Sequence, residues 1–260
     1  MCSAPEFAYA QVEPLLRRLG DAKLVLVGGQ AVNFWAEIYA PRVSEIAANA
    51  PYTSKDIDFC GDRSAVIDCA ERIGGNAVLP TLDDATPNSG IIVFAGLTGE
   101  PLTIDVIRTP FGLEAEEVFR TSLRVEALGD GGLPTGACFR VVHPVLLLES
   151  RVHNVMGLPG GDSPRGRKQL RAIVVCAREF LRDRLDEGLV RPVLDLNERI
   201  GRFCVRDHHG CAVHTRTGID PFNAVLIDER LPEEFRTKRY PQLRERVERA
   251  RKKIGQQAPG

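Results

Sequence analysis

Lys23-Leu-Val-Leu-Val27-Gly28-Gly29-Gln30-Ala-Val-Asn-Phe-Trp-Ala-Glu-Ile-Tyr39 is the stretch that decides how the rest of the chain is read. From Leu24 to Val27 it is apolar and partly β-branched, which predicts a short buried strand. Two glycines stop that strand, and Gln30 to Tyr39 then reads as a helix. A glycine turn between strand and helix lets backbone N–H groups at the helix N-terminus approach a phosphate with no side chain in the way. It is not the dinucleotide fingerprint, because Gln30, Ala31, Val32 and Asn33 stand where a further glycine would be needed.

Upstream, Ala8, Val12, Leu15, Leu16 and Leu19 recur at helical spacing and predict an opening helix over Ala8–Leu19, stopped by Gly20. Downstream, residues 40–53 hold two prolines and the small-residue run Glu45–Ala50, so a loop or short helix is expected there. Lys55–Cys60 alternates polar and apolar like a half-buried strand. Arg63–Ile73 returns to helical spacing, Asn76–Leu79 reads as a strand, and Ile91–Ala95 with Leu102–Ile107 read as two strands about a Gly96–Gly99 turn. A helix over Gly112–Thr121 and strands at Leu123–Ala127 and Cys138–Val142, flanking a glycine-rich turn at 129–136, complete this part. From Pro144 the pattern changes: Leu146–Met156, Arg167–Leu185 and Leu189–Val205 all have helical periodicity, and Tyr240–Lys253 is an Arg/Glu/Lys helix with supporting pairs such as Glu245 to Arg249. The expected fold class is α/β: a core with a mixed sheet over residues 1–143, then a mainly α-helical region over 144–260.

Charge follows the same division. Residues 1–150 carry 20 acidic side chains against 11 basic, and residues 151–260 carry 15 against 23. Either the acidic half concentrates metal-binding carboxylates while the basic half meets phosphates, or the two halves attract each other. No apolar stretch of membrane-spanning length and no leader pattern is visible, so a cytoplasmic protein with no membrane partner is expected. The seven cysteines are scattered singly, which predicts reduced thiols.

Asp56 and Asp58 lie two apart in a strand-like run and so share a face. Like charges held that close are costly without a cation between them, and hard carboxylate oxygens favour Mg²⁺ or Mn²⁺. Asp105 is the one acid within the apolar run Leu102–Ile107, so it needs a partner; Arg108 is one candidate. If its strand neighbours that of Asp56 and Asp58, three carboxylates can hold two metal ions. The ordinary alternative for the Asp-Ile-Asp pair is two solvated acids at a strand edge. Arg151, Arg165, Arg167, Lys168 and Arg171 either receive phosphates or form a solvated helix face. Cys204, His208, His209, Cys211 and His214 are zinc-type donors without a standard ligand spacing, and read as a mobile surface turn.

The order Leu26-Val27-Gly28-Gly29, a helix, Ser54-Lys55-Asp56-Ile57-Asp58, then Ile104-Asp105-Val106 resembles the hG[G/S] … Dh[D/E]h … hDh signature of the DNA polymerase β-like nucleotidyltransferase superfamily. The likeness spans residues 24–107, and its Ser-x-Asp-x-Asp form is most similar to the AbiEii-type toxin nucleotidyltransferases. It implies a polymerase β-like core in which Gly28, Gly29 and Ser54 bind the phosphates of an NTP. Asp56, Asp58 and Asp105 would be the catalytic residues and the ligands of Mg²⁺ (or Mn²⁺). Where the superfamily's later motifs carry a Lys and then a Lys-Asp pair, this chain has Arg151 and Arg167-Lys168-Gln169, which makes Arg151 and Lys168 the nucleotide-binding cations and leaves the last carboxylate missing. The implied reaction moves a nucleoside monophosphate from NTP to a hydroxyl of tRNA, a protein or a small molecule, in the manner of a toxin-like enzyme. The alternative is a non-catalytic nucleotide- or RNA-binding protein that keeps the fold.

Overall fold

The computed structural model describes residues 6–81, 83–95, 101–129 and 132–257. It divides into two compact units, Met1–Leu147 and Leu148–Gly260, where the sequence pattern suggests a change after residue 143. The Gly96–Gly99 turn lies outside the described residues.

In chain order the first unit contains β1 (Phe7–Ala8), α1 (Tyr9–Leu19), β2 (Val25–Leu26), α2 (Gly28–Tyr39), α3 (Ser44–Ala48), β3 (Thr53–Ser54) and β4 (Ile57–Cys60). Then follow α4 (Arg63–Ile73), β5 (Asn76–Val78), β6 (Asn88–Ala95), β7 (Pro101–Ile107), α5 (Ala115–Thr121), β8 (Leu123–Leu128) and β9 (Pro134–Val141). Seven strands form one mixed sheet in the order β5-β6-β7-β4-β2-β9-β8, while β1 and β3 pair separately. β4 runs parallel to β7 and antiparallel to β2, and β2 runs parallel to β9. The central strands are apolar because they are covered: Val25, Leu26, Ile57, Phe59, Ile104 and Val106 are all buried.

The opening helix begins at Tyr9, one residue later than its spacing suggests, because Phe7 and Ala8 pair with Ser54 and Thr53. Val12, Leu15, Leu16 and Leu19 form its buried face. Phe34, Trp35 and Tyr39 are core residues of α2, and Trp35 Nε1 donates to Val142 O at 3.0 Å. The predicted strand at 91–95 starts earlier, at Asn88, where a bulge in its pairing with β7 takes up the irregular register. The helix predicted from Gly112 starts only at Ala115, because Gly112 has φ +79°, outside the helical region.

The helices beyond β9 are α6 (Pro144–Gly157), within which the two units divide, then α7 (Pro164–Asp186), α8 (Val190–Arg206), α9 (His208–Thr217) and α10 (Tyr240–Gln257). In the second unit α8 packs against α7, α9 and α10. Fully buried Asn197 fixes the loop after α9 by donating to Leu226 O at 3.0 Å and accepting from Leu226 N at 2.8 Å. The Arg199 guanidinium makes two 2.7 Å hydrogen bonds to buried Glu149. Such fork-shaped pairing satisfies both carboxylate oxygens, which is what makes a buried charge tolerable.

The expected surface turn around Cys204–His214 is instead the junction of α8 and α9. Asp207 starts α9 by accepting from Gly210 N at 2.8 Å, an N-cap that overrides the weak helix propensity of His-His-Gly. Cys204 is fully buried, and Cys211 Sγ donates to Cys204 O at 3.2 Å, so both thiols face the interior. The six described cysteines are unbonded. Among the described residues no helix is long and apolar enough to cross a membrane.

Candidate functional site

Two local facts bring the acids of the first unit together. β4 and β7 are parallel neighbours, and their register sets Asp58 directly beside Asp105. Register partners on adjacent strands share a face, so the two carboxylates stand on one side of the sheet. Asp56, two residues ahead of Asp58 and just before β4, is exposed; its charge is felt at Asp105.

Asp105 is half-buried, and its pKa is raised, first by burial and then by the charge of Asp56. The Asn88 amide, donating to Asp105 Oδ1 at 3.2 Å, partly offsets this. Asn88, not Arg108, is therefore the partner that holds Asp105. Nothing in the sequence marks Asn88 for this, because its place opposite the end of β7 depends on the β6–β7 pairing.

The glycine turn meets the same acids. Val27 N donates to Asp58 O at 3.0 Å, tying the turn to β4. Gly28 has φ +62°, and a Cβ there would lie 2.2 Å from Asp58 Oδ2. Glycine is thus required both by the left-handed backbone and by the carboxylate resting against it. α2 begins at this turn, and its N-cap, Val27, has no side-chain group to bond the first N–H groups. An uncapped helix N-terminus carries partial positive charge and several donors.

Gln30 and Asn33 brace this turn. Gln30 Nε2 donates to Phe7 O at 3.1 Å, and Asn33 Nδ2 donates to Gln30 Oε1 at 3.0 Å. Both side chains are buried, and their spacing of three along the helix is the only sequence signal that they could meet. Ser54 is buried on β3, against which α2 also packs.

Of the predicted site residues, then, Gly28, Asp58 and Asp105 share one location, with Asp56 close to it, Gly29 in the first turn of α2 and Ser54 on a strand beside that helix. Arg151 and Lys168 belong to the second unit, on α6 and α7, and both are half-buried. Their neighbour Arg167 is committed to Asp162, with bonds of 2.5 and 3.1 Å that hold the Asp162 carboxyl below the usual carboxylate range. Asp162 also accepts from Arg216 Nε at 3.2 Å.

A cleft of 680 Å³ opens where β4 and β7 end, lined by Gly61, Asp62, Arg63, Thr86, Ser89 and Arg108 among others. None of the three aspartates lines it. Among the described residues, the single group of three or more metal-type donors with all ligand atoms within 4.8 Å of one another is His153, Asp207 and His209, in the second unit.

No family model matches the chain, and no curated protein matches it. Among solved structures it is similar to the crystal structure of JHP933 from Helicobacter pylori, at 13% identity and a TM-score of 0.37, over 95% of this chain and 91% of that one.

Proposed function

We propose that the first unit is a polymerase β-like nucleotidyltransferase core that transfers a nucleoside monophosphate from an NTP to a hydroxyl group. The observation that carries this reading is the contact between the Gly28 turn and the Asp58 carboxylate, with Asp105 next to it on the neighbouring strand. A phosphate-type site and a cation-type site then share one wall. The donor set suits a hard divalent ion: Asp56, Asp58 and Asp105 offer carboxylate oxygens alone, and the pKa of Asp105 is raised first by its burial and then by the charge of Asp56. When bound by these three carboxylates, Mg²⁺ or Mn²⁺ supplies Lewis-acid neutralisation of the charge on the triphosphate.

The chain's own residues would act as follows. Backbone N–H groups of Gly29 and Gln30, at the uncapped start of α2, bind phosphate oxygens, and the Ser54 hydroxyl assists. Bracing of that turn by Gln30 and Asn33 holds the donors in place before the nucleotide arrives. The acceptor oxygen bonds to the α-phosphorus, the bond from that phosphorus to the β-phosphate oxygen breaks, and pyrophosphate leaves. Asp105 would be the carboxylate nearest the attacking hydroxyl, either as the base that takes its proton or as a ligand of the ion.

The deciding experiment is incubation of the full chain with each α-labelled NTP and cell extract. Label appearing in tRNA, protein or a small molecule, with release of pyrophosphate, supports transfer and identifies the acceptor class. Mg²⁺-dependent NTP binding without pyrophosphate release would make the protein a non-catalytic nucleotide binder.

A further inference from the structure

The donor cluster of the second unit contains none of the residues assigned to the proposed nucleotide site. His153 comes from α6, while Asp207 and His209 come from the α8–α9 junction. The His153 Nδ1 atom lies 2.9 Å from Glu149 O and its Nε2 lies 3.1 Å from Asp207 Oδ2. A carbonyl oxygen only accepts, so Nδ1 is the donor there and Nε2 is the atom that faces the carboxylate. Between Nε2 and the carboxylate oxygen either a proton or a metal ion can lie.

The third residue separates these options. The His209 ring sits 5.2 Å from the His153 ring, centroid to centroid. It brings a third donor atom within 4.8 Å of the other two, which a metal ion would use as a ligand. The remaining atoms are already arranged for ligation. Asp207 Oδ1 is occupied by Gly210 N at 2.8 Å, which orients the carboxylate and leaves Oδ2 toward the histidines. His153 is held by a backbone carbonyl at the nitrogen away from Asp207, the second-shell arrangement found around metal-ligating histidines. The Arg199–Glu149 fork fixes the same turn of α6 from which that carbonyl comes.

We infer that His153, Asp207 and His209 form a binding site for a first-row divalent transition ion, with zinc the primary ion. Two imidazoles and one carboxylate form a donor set used by zinc and also by ferrous sites, with coordination positions left for water or another ligand. It is unlike the all-oxygen set of the first unit, which suits magnesium. The three ligand atoms lie within 4.8 Å of one another. The ion would pin α6 to the α8–α9 junction. Cys204 and Cys211 do not belong to this cluster, and the Cys211 thiol donates to Cys204 O.

The test is titration of the metal-free full chain with Zn²⁺ against a competing chelator, and with Co²⁺ read by its visible spectrum. The expected results are one Zn²⁺ bound per chain and the intense visible bands of low-coordinate Co²⁺, without thiolate charge-transfer absorption. His209→Ala and Asp207→Asn should weaken Zn²⁺ by more than the ~10–100-fold that loss of a mere supporting group costs. Asp207→Asn keeps an oxygen for the α9 cap, so the fold survives, as circular dichroism would verify. Asp105→Asn should leave Zn²⁺ affinity unchanged. The inference is overturned by no stoichiometric Zn²⁺ binding, by unaltered affinity in both ligand variants, or by thiolate bands with Co²⁺; the first of these would leave His153 and Asp207 as a structural hydrogen-bonded pair.

Discussion

The acidic face of the first unit and the histidine cluster of the second share a plan and differ in chemistry: in each, two donors two residues apart meet a third from a distant element. Asp56 and Asp58 are two residues apart on one segment, and Asp105 is brought beside them by a single strand pairing. His153 and Asp207 are 54 residues apart and meet only because two helices pack. The first set is all carboxylate oxygen and rests against a glycine turn at a helix start, which under the proposed function would serve magnesium and phosphate. The second mixes imidazole with carboxylate and is locked by a cap and a backbone carbonyl, which suits a borderline ion. Local sequence pattern thus marks donors within one segment, Asp56 with Asp58 and the run around His209, and leaves their meeting with a distant partner to the fold.

The largest effect should come from Asp58→Asn. If the two regions are separate sites, nucleotidyl transfer falls by about 10³-fold or more, reflecting several kcal/mol of lost charge stabilisation, while Zn²⁺ affinity stays the same. Parallel loss of both properties would break the comparison. Transfer assays and Zn²⁺ titration on one preparation decide it.

Arg151→Ala and Lys168→Ala come next. If either side chain contacts the triphosphate, NTP affinity drops about ten- to hundredfold, from the loss of a charge-assisted bond worth roughly 1.5 to 3 kcal/mol. Contact with a nucleic-acid acceptor would instead spare NTP binding and reduce the salt dependence of acceptor binding. No change in either affinity returns both residues to ordinary helix-surface charge.

Gly28→Ala tests whether the turn and the carboxylate are one device. Forcing a Cβ into the left-handed region costs about 1–2 kcal/mol, and the Asp58 carboxylate must also move away from the new methyl group. The melting temperature should fall modestly and NTP binding should weaken. An unaltered nucleotide affinity in a well-folded Gly28→Ala protein would show that the turn serves the fold alone.

The smallest effect is on stability and pH. The folded-state pKa of Asp105 lies above its unfolded value, so its ionised form costs stability above that pKa, and the cost disappears as pH falls through the folded value toward the unfolded one. In chelator-treated protein Asp105→Asn should therefore melt higher than wild type at neutral pH, with the difference vanishing on acidification. Mg²⁺ should raise the wild-type melting temperature and leave the variant unmoved. A variant less stable than wild type at neutral pH would mean that Asp105 is compensated within the fold.

The alternation of Ile57, Asp58, Phe59 and the apolar run around Asp105 could be read directly, since period-two patterning states which face each side chain takes. The Gly28–Gly29 break between strand and helix was equally plain. Hidden from that reading were Asn88 beneath Asp105, the pairing of Phe7 with Ser54 that shortens the first helix, and the braces from Gln30 and Asn33. Each depends on a partner distant in sequence. The α8–α9 junction was misread for the same reason: its His-His-Gly start has little helical preference, and the Asp207 cap together with burial of Cys204 and Cys211 makes the helix.

The sequence by itself determined a mixed α/β part followed by a helical part, the acidic strand face, and the glycine turn that meets it, because periodicity and backbone conformational preference act over a few residues. Tertiary structure alone decided that β7 lies beside β4 with Asp105 level with Asp58, and that His153 reaches Asp207 and His209. Those choices are made by which apolar faces bury against each other across long stretches of chain, a competition that no local pattern records.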